Sequence, residues 1–179
     1  MAGPSARPDG RIFSMTRSNA REIAVHLIFS LGFGDGDAQS LLDSQLTRER
    51  FQELAEDSPL YAQFPNEKQE SYIRELVQGV FAHGPELDEY IGRYAVGWSF
   101  ARIPRMAAAI MRTAMYEMLY MPDIPNAAAI NEAVEIAKRY EPQDVVAFLN
   151  GILGSFARAE LADTPPRPEK KEESREAEQ

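Results

Sequence analysis

Cysteine is absent from this chain of 179 residues. That excludes disulfide frameworks, thiol nucleophiles and every metal or cluster site built on thiolate ligands. Histidine is nearly absent too. Only His26 and His83 are available for imidazole chemistry, so a catalytic triad or a histidine-rich metal site has almost nothing to draw on. Positive charge is scarce, with 19 Lys and Arg against 28 Asp and Glu and a formal net charge of −9. A protein that coats itself with nucleic acid needs the opposite balance, because affinity comes largely from neutralised phosphates. The apolar runs are short and interrupted, too short to span a bilayer. The start, Met1-Ala2-Gly3-Pro4-Ser5, lacks the apolar stretch of a signal peptide, and the expectation is a cytoplasmic protein with no membrane association.

What is present is a chain of one-domain length with 44% hydrophobic residues. A chain of this size buries roughly 70% of its unfolded surface, so it needs no covalent staple. Basic charge is confined to two places. Residues 1–22 and 101–122 each carry a net +2, whereas 35–57 carry −5. Residues 1–14 combine Pro, Gly and isolated charges without periodicity, and residues 163–179 run from a Pro-rich stretch into nearly pure Glu and Lys. Such segments bury too little surface to order themselves. The expected organisation is a disordered arm over 1–14, a folded body over 15–162 and a disordered charged tail over 163–179.

Within the body, apolar residues recur at helical spacing. Stripes run through Ala20, Ile23, Ala24, Leu27 and Leu31, then through Leu41, Leu46, Phe51 and Ala55. Others follow through Tyr72, Leu76, Val80 and Phe81 and through Leu87, Ile91 and Tyr94. The last three run through Ile110, Met111, Ala114 and Met118, through Ile130, Ala133 and Ala137, and through Val145, Leu149, Ile152 and Phe156. Gly32, Gly34 and Gly36, Gly84-Pro85, Gly97, Pro104, Pro122, Pro125 and Pro142 punctuate them. No segment alternates with period two. The spacing predicts an all-α fold of about seven helices with connections short enough for antiparallel packing.

Catalytic signatures are weak. Gly97-Trp98-Ser99-Phe100-Ala101 approaches a nucleophile elbow, but its surroundings read as helical and not as strand–turn–helix. Gly32 to Asp37 lacks the preceding strand and following Lys of a phosphate loop, and Asp35 and Asp37 would repel phosphate. Glu132 and Glu135 lack a partnering histidine, and Glu135 pairs more simply with Arg139 one turn on. The reading is a non-enzyme with no cofactor and no metal.

The last third of the chain carries a specific pattern. Ala127 to Tyr140, reading AAAINEAVEIAKRY, is followed by Phe148-Leu149-Asn150-Gly151-Ile152-Leu153. Together with Ala20-Arg21-Glu22-Ile23-Ala24-Val25 and Arg112 to Met118 (RTAMYEM), this resembles the NusB family of bacterial transcription antitermination factors. The resemblance spans about residues 17–157. It implies two small antiparallel helical bundles and a role in binding a boxA-type RNA together with NusE, a ribosomal small-subunit protein, within the transcription elongation complex.

Carried over position by position, the resemblance makes Arg17 and Arg21 RNA contacts on the first helix, with Tyr140 and Asp144 supplying base contacts from the last third. The family usually shows several consecutive arginines where this chain keeps two, and a basic residue where it has Ala147. For the protein partner, the resemblance points to Phe29, Tyr116 and Glu117. The fifth helix carries Met111, Met115 and Met118 besides Tyr116 and Glu117, more than one face can bury, and Glu117→Lys is expected to block partner binding without unfolding. The oligomeric state is open between monomer and homodimer. The thinned basic cluster and the −9 charge favour an alternative, a NusB-like protein-binding adaptor that has largely lost RNA binding. Asn131 and Asn150 read as hydrogen-bonding within the fold.

Overall fold

A computed structural model describes residues 15–32 and 36–162. The expected arm over 1–14, the expected tail over 163–179 and Gly34 lie outside the described residues. All regular structure among the described residues is helical. The α-helices are α1 (Arg17–Leu31), α2 (Ala38–Gln45), α3 (Arg48–Ala55), α4 (Glu67–Ala82), α5 (Gly84–Tyr94), α6 (Arg105–Tyr120), α7 (Asn126–Tyr140) and α8 (Gln143–Glu160). The described residues form two compact units that divide between Pro85 and Glu86.

The expected helix through residues 41–55 is two helices. Leu46 leaves the helical backbone at ψ 59°, and the Thr47 side chain accepts the Arg50 N–H at 3.2 Å to cap a fresh start. Leu46 stays buried at the break, so the apolar pattern runs on while the backbone does not. Gly84-Pro85 likewise opens α5. The cap of α4 is His83, and Pro85 sits second in α5, where its missing N–H costs no helical hydrogen bond.

In the first unit, α1 packs on α4, and α2 contacts both. The apolar stripes meet in a core that includes Ile23, Leu42, Ile73 and Leu76, all at most 1% exposed. Asn66 and Gln69 form a reciprocal capping box at the start of α4. The Gln69 amide also donates to the Met15 carbonyl, which ties the residue just before α1 to this unit. Phe51 of α3 meets Tyr61 and Phe64 edge-on, with centroids at 5.3 and 5.1 Å.

In the second unit, α6 packs against both α7 and α8. Its small residues Ala107, Ala108, Ala109 and Ala114 are buried and let neighbouring backbones approach closely. Helix α5 is tied in by its rings and charges. Tyr90 meets Phe156 edge-on at 5.0 Å. Arg93 reaches Glu160 at 2.7 Å, and the Tyr94 hydroxyl donates to the same carboxylate. Arg112 of α6 binds Asp88 at 2.5 Å. Among the described residues no helix is long and apolar enough to cross a membrane.

Candidate functional site

Thr16 caps α1 by accepting the Asn19 N–H at 3.1 Å, and the helix then sets Arg17 and Arg21 one turn apart on one face. Both guanidinium groups address the Tyr72 ring of α4, at 4.8 and 5.8 Å from its centroid. The spacing is as expected, but the two arginines are not equivalent. Arg17 is exposed. Arg21 is 4% exposed and Glu22 beside it 5%, so Arg21 is packed within the unit where a surface RNA contact was expected. Truncating it removes a packed stem as well as a charge.

The Tyr140 and Asp144 positions belong to the second unit. Tyr140 is the last residue of α7 and is 41% exposed. Asp144 is exposed in the first turn of α8, where the helix dipole favours a carboxylate. Between them, burial pushes the Glu141 carboxyl upward from its ordinary value, partly offset by a hydrogen bond from the Ala107 backbone.

Helices α7 and α8 enclose a groove of about 880 Å³ that the sequence reading missed. Asn131, Glu135 and Lys138 line one wall, Gln143, Ala147 and Asn150 the other, over Val134 and Val146. Each wall repeats at i, i+4 and i+7, so a stripe on two successive helices, polar at every position but Ala147, was the available signal. Lys138 pairs with Glu135 at 2.9 Å, and its N–H donation holds the Glu135 carboxyl below the usual range. Asn131 and Asn150 are exposed and their side chains make no hydrogen bond to another described residue, which corrects the expectation that these side chains are satisfied within the fold.

The partner residues are also redistributed. Phe29 is half-buried on α1. Tyr116 is 8% exposed, its ring 5.1 Å from that of Tyr120, and Glu117 is fully buried. Met111, Met115 and Met118 are fully buried as well. The expectation of a surface on this part of α6 is therefore corrected. A helix packed on two neighbours has little free face, and Glu117→Lys would bury an ammonium group at a cost of several kcal/mol. That substitution tests the core, not an interface.

No three His, Cys, Asp or Glu side chains come together as a metal site among the described residues. His26 and Tyr61 share a hydrogen bond at 2.9 Å in the first unit. Burial lowers the His26 pKa from 6.5, with Glu22 pulling the other way.

The NusB family pattern matches residues 18–158. The transcription antitermination protein NusB of Carboxydothermus hydrogenoformans is 41% identical over 143 residues, covering 80% of this chain and 93% of that protein. The protein of the same name from Acetivibrio thermocellus is 35% identical over 159 residues, covering 89% and 100%. Among solved structures, T. maritima NusB superposes with a TM-score of 0.68 at 28% identity, over 82% of this chain and 94% of that one. A chain from the structure of antitermination factors NusB and NusE in complex with dsRNA gives 0.63 at 20% identity, over 80% and 96%. At that identity the likeness speaks for the fold alone.

Proposed function

Because the chain belongs to the NusB family, we propose that it is a transcription antitermination factor that binds a boxA-type RNA together with the NusE ribosomal protein. The observation that carries this reading is the family match along residues 18–158, nearly the whole described body, with relatives of that name at 35–41% identity. In this reading the protein is a cytoplasmic binding factor and not an enzyme. Exposed Arg17 meets phosphate, partly exposed Tyr140 stacks on a base, and Asp144 accepts from a base edge. Arg21 supports Arg17 from within, since both address Tyr72. Phe29 is the partner-facing candidate that keeps surface. Tyr116 and Glu117 belong to the core of the second unit.

A protein-only adaptor is the second reading, favoured by buried Arg21 and by Ala147 standing exposed where the family carries a basic residue. Binding of a labelled boxA-type RNA, with and without NusE, separates the two. The antitermination reading expects RNA affinity that rises when NusE is added, and a loss on Arg17→Glu. Binding of NusE with no RNA affinity in either condition overturns it in favour of the adaptor.

A further inference from the structure

The connection between α5 and α6 leaves apolar and aromatic side chains partly exposed. Val96 is 87% exposed, Trp98 42% and Phe100 39%. Gly97 turns the chain there with φ +83°, a conformation that L side chains rarely adopt. The Trp98 indole lies against Phe148 of α8, with ring centroids 4.7 Å apart and planes tilted by 34°. Phe148 follows Asp144 by one helical turn. The indole N–H makes no hydrogen bond to another described residue.

Charge in this stretch runs against that of the whole chain. From Tyr90 to Tyr116 there are four arginines and no acidic residue, in a protein of net charge −9. Two of the four are ion-paired, Arg93 with Glu89 and Glu160 and Arg112 with Asp88, and the Arg112 guanidinium also lies over the Phe100 ring at 5.8 Å from its centroid. Arg102 and Arg105 are exposed in the same segment of chain as the aromatic residues, and Arg102 has no ion-pair partner among the described residues. Exposed rings and an unmatched guanidinium within five residues suit a polyanion that itself carries ring faces. Base–aromatic stacking needs no base sequence, because every base has such a face.

Building on the RNA-binding reading above, we propose that this connection is a further contact for single-stranded RNA. Trp98 stacks an unpaired base, and Arg102 meets the neighbouring phosphate. Phe148 backs the indole and keeps its outer face presented. This surface would continue the RNA path from the start of α8 onto the α5–α6 connection.

Trp98 is the one tryptophan of the chain, so its emission reports directly on the contact. The experiment titrates the full chain with a labelled boxA-type oligoribonucleotide, with and without NusE, following RNA anisotropy and tryptophan emission together. Quenching in step with anisotropy is expected. Trp98→Ala should weaken binding by about fivefold or more, the low end for one base–aromatic stack, and Trp98→Phe should restore most of it. Thermal melts identify any unfolded variant. Should Trp98→Ala fail to fold, Arg102→Ala and the wild-type quench decide instead. RNA binding with unchanged emission and unchanged affinity in Trp98→Ala and Arg102→Ala overturns this contact and leaves the RNA reading standing. Quenching by NusE alone, with no effect of RNA, overturns it in favour of a protein surface. No anisotropy change in either condition overturns the RNA reading, and this contact with it.

Discussion

His26 stands half-buried on α1, sharing its Nδ1 with the Tyr61 hydroxyl. Burial favours the neutral ring, so the folded protein takes up a proton at lower pH than the unfolded chain does. Above pH 6.5 the ring is neutral in both states and its contribution is intact. As pH falls below 6.5, the unfolded chain protonates first, and stability is lost until the folded pKa is passed. The melting temperature should therefore decline over this window in the wild type and stay flatter in His26→Gln. Glu135 and Glu160, whose carboxyls hydrogen bonds hold below 4.5, act only at lower pH, while Glu141, raised by burial, works with the opposite sign and is common to the wild type and His26→Gln. A decline of equal steepness in His26→Gln would place the titrating group elsewhere. Single residues were also where the sequence was least legible. Arg21 and Glu117 read as surface charges because their neighbours in the chain are mixed, and only the three-dimensional packing of α1 and α6 shows them covered. Burial of a polar residue leaves no periodic mark.

Helices, by contrast, were legible wherever one face is apolar, because a 3.6-residue period survives in one dimension. What escaped was the break at Leu46-Thr47, where a hydroxyl cap ends one helix and starts another beneath an unbroken stripe. The polar groove of α7 and α8 escaped for a related reason: its walls lie on the faces opposite the apolar stripes. Helix α6 is the element with least freedom. Ala107 and Ala109 are at most 1% exposed, at the end that packs on its neighbours. Ala107→Leu forces extra methylenes into this packing and should cost about 1–3 kcal/mol. Chemical denaturation measures it. A neutral result would mean that the helices part easily there.

Across the whole molecule, the −9 charge sets the terms of any polyanion contact. RNA binding through Arg17 and Arg102 neutralises about two phosphates, for which a single strand gives a log–log salt slope of about −1.4. Affinity measured over a series of salt concentrations checks this. A slope steeper than about −3 would bring in further cations, Arg7 and Arg11 of the N-terminal residues first among them. The balance of charge and the family resemblance were both readable from the sequence, and together they set the choice between RNA factor and adaptor. Which arginines stand exposed was not readable.

Gly97 adds a constraint of a different kind. A Cβ built there meets nothing within 4 Å, so size is no obstacle. Handedness is. L-alanine at φ +83° should cost about 1–2 kcal/mol, whereas D-alanine, introduced by chemical ligation, fits the same backbone and restricts the unfolded chain. The mirror-image residue should raise the melting temperature where its natural counterpart lowers it. The direction in which Trp98 is presented is thus a matter of chirality at the residue before it.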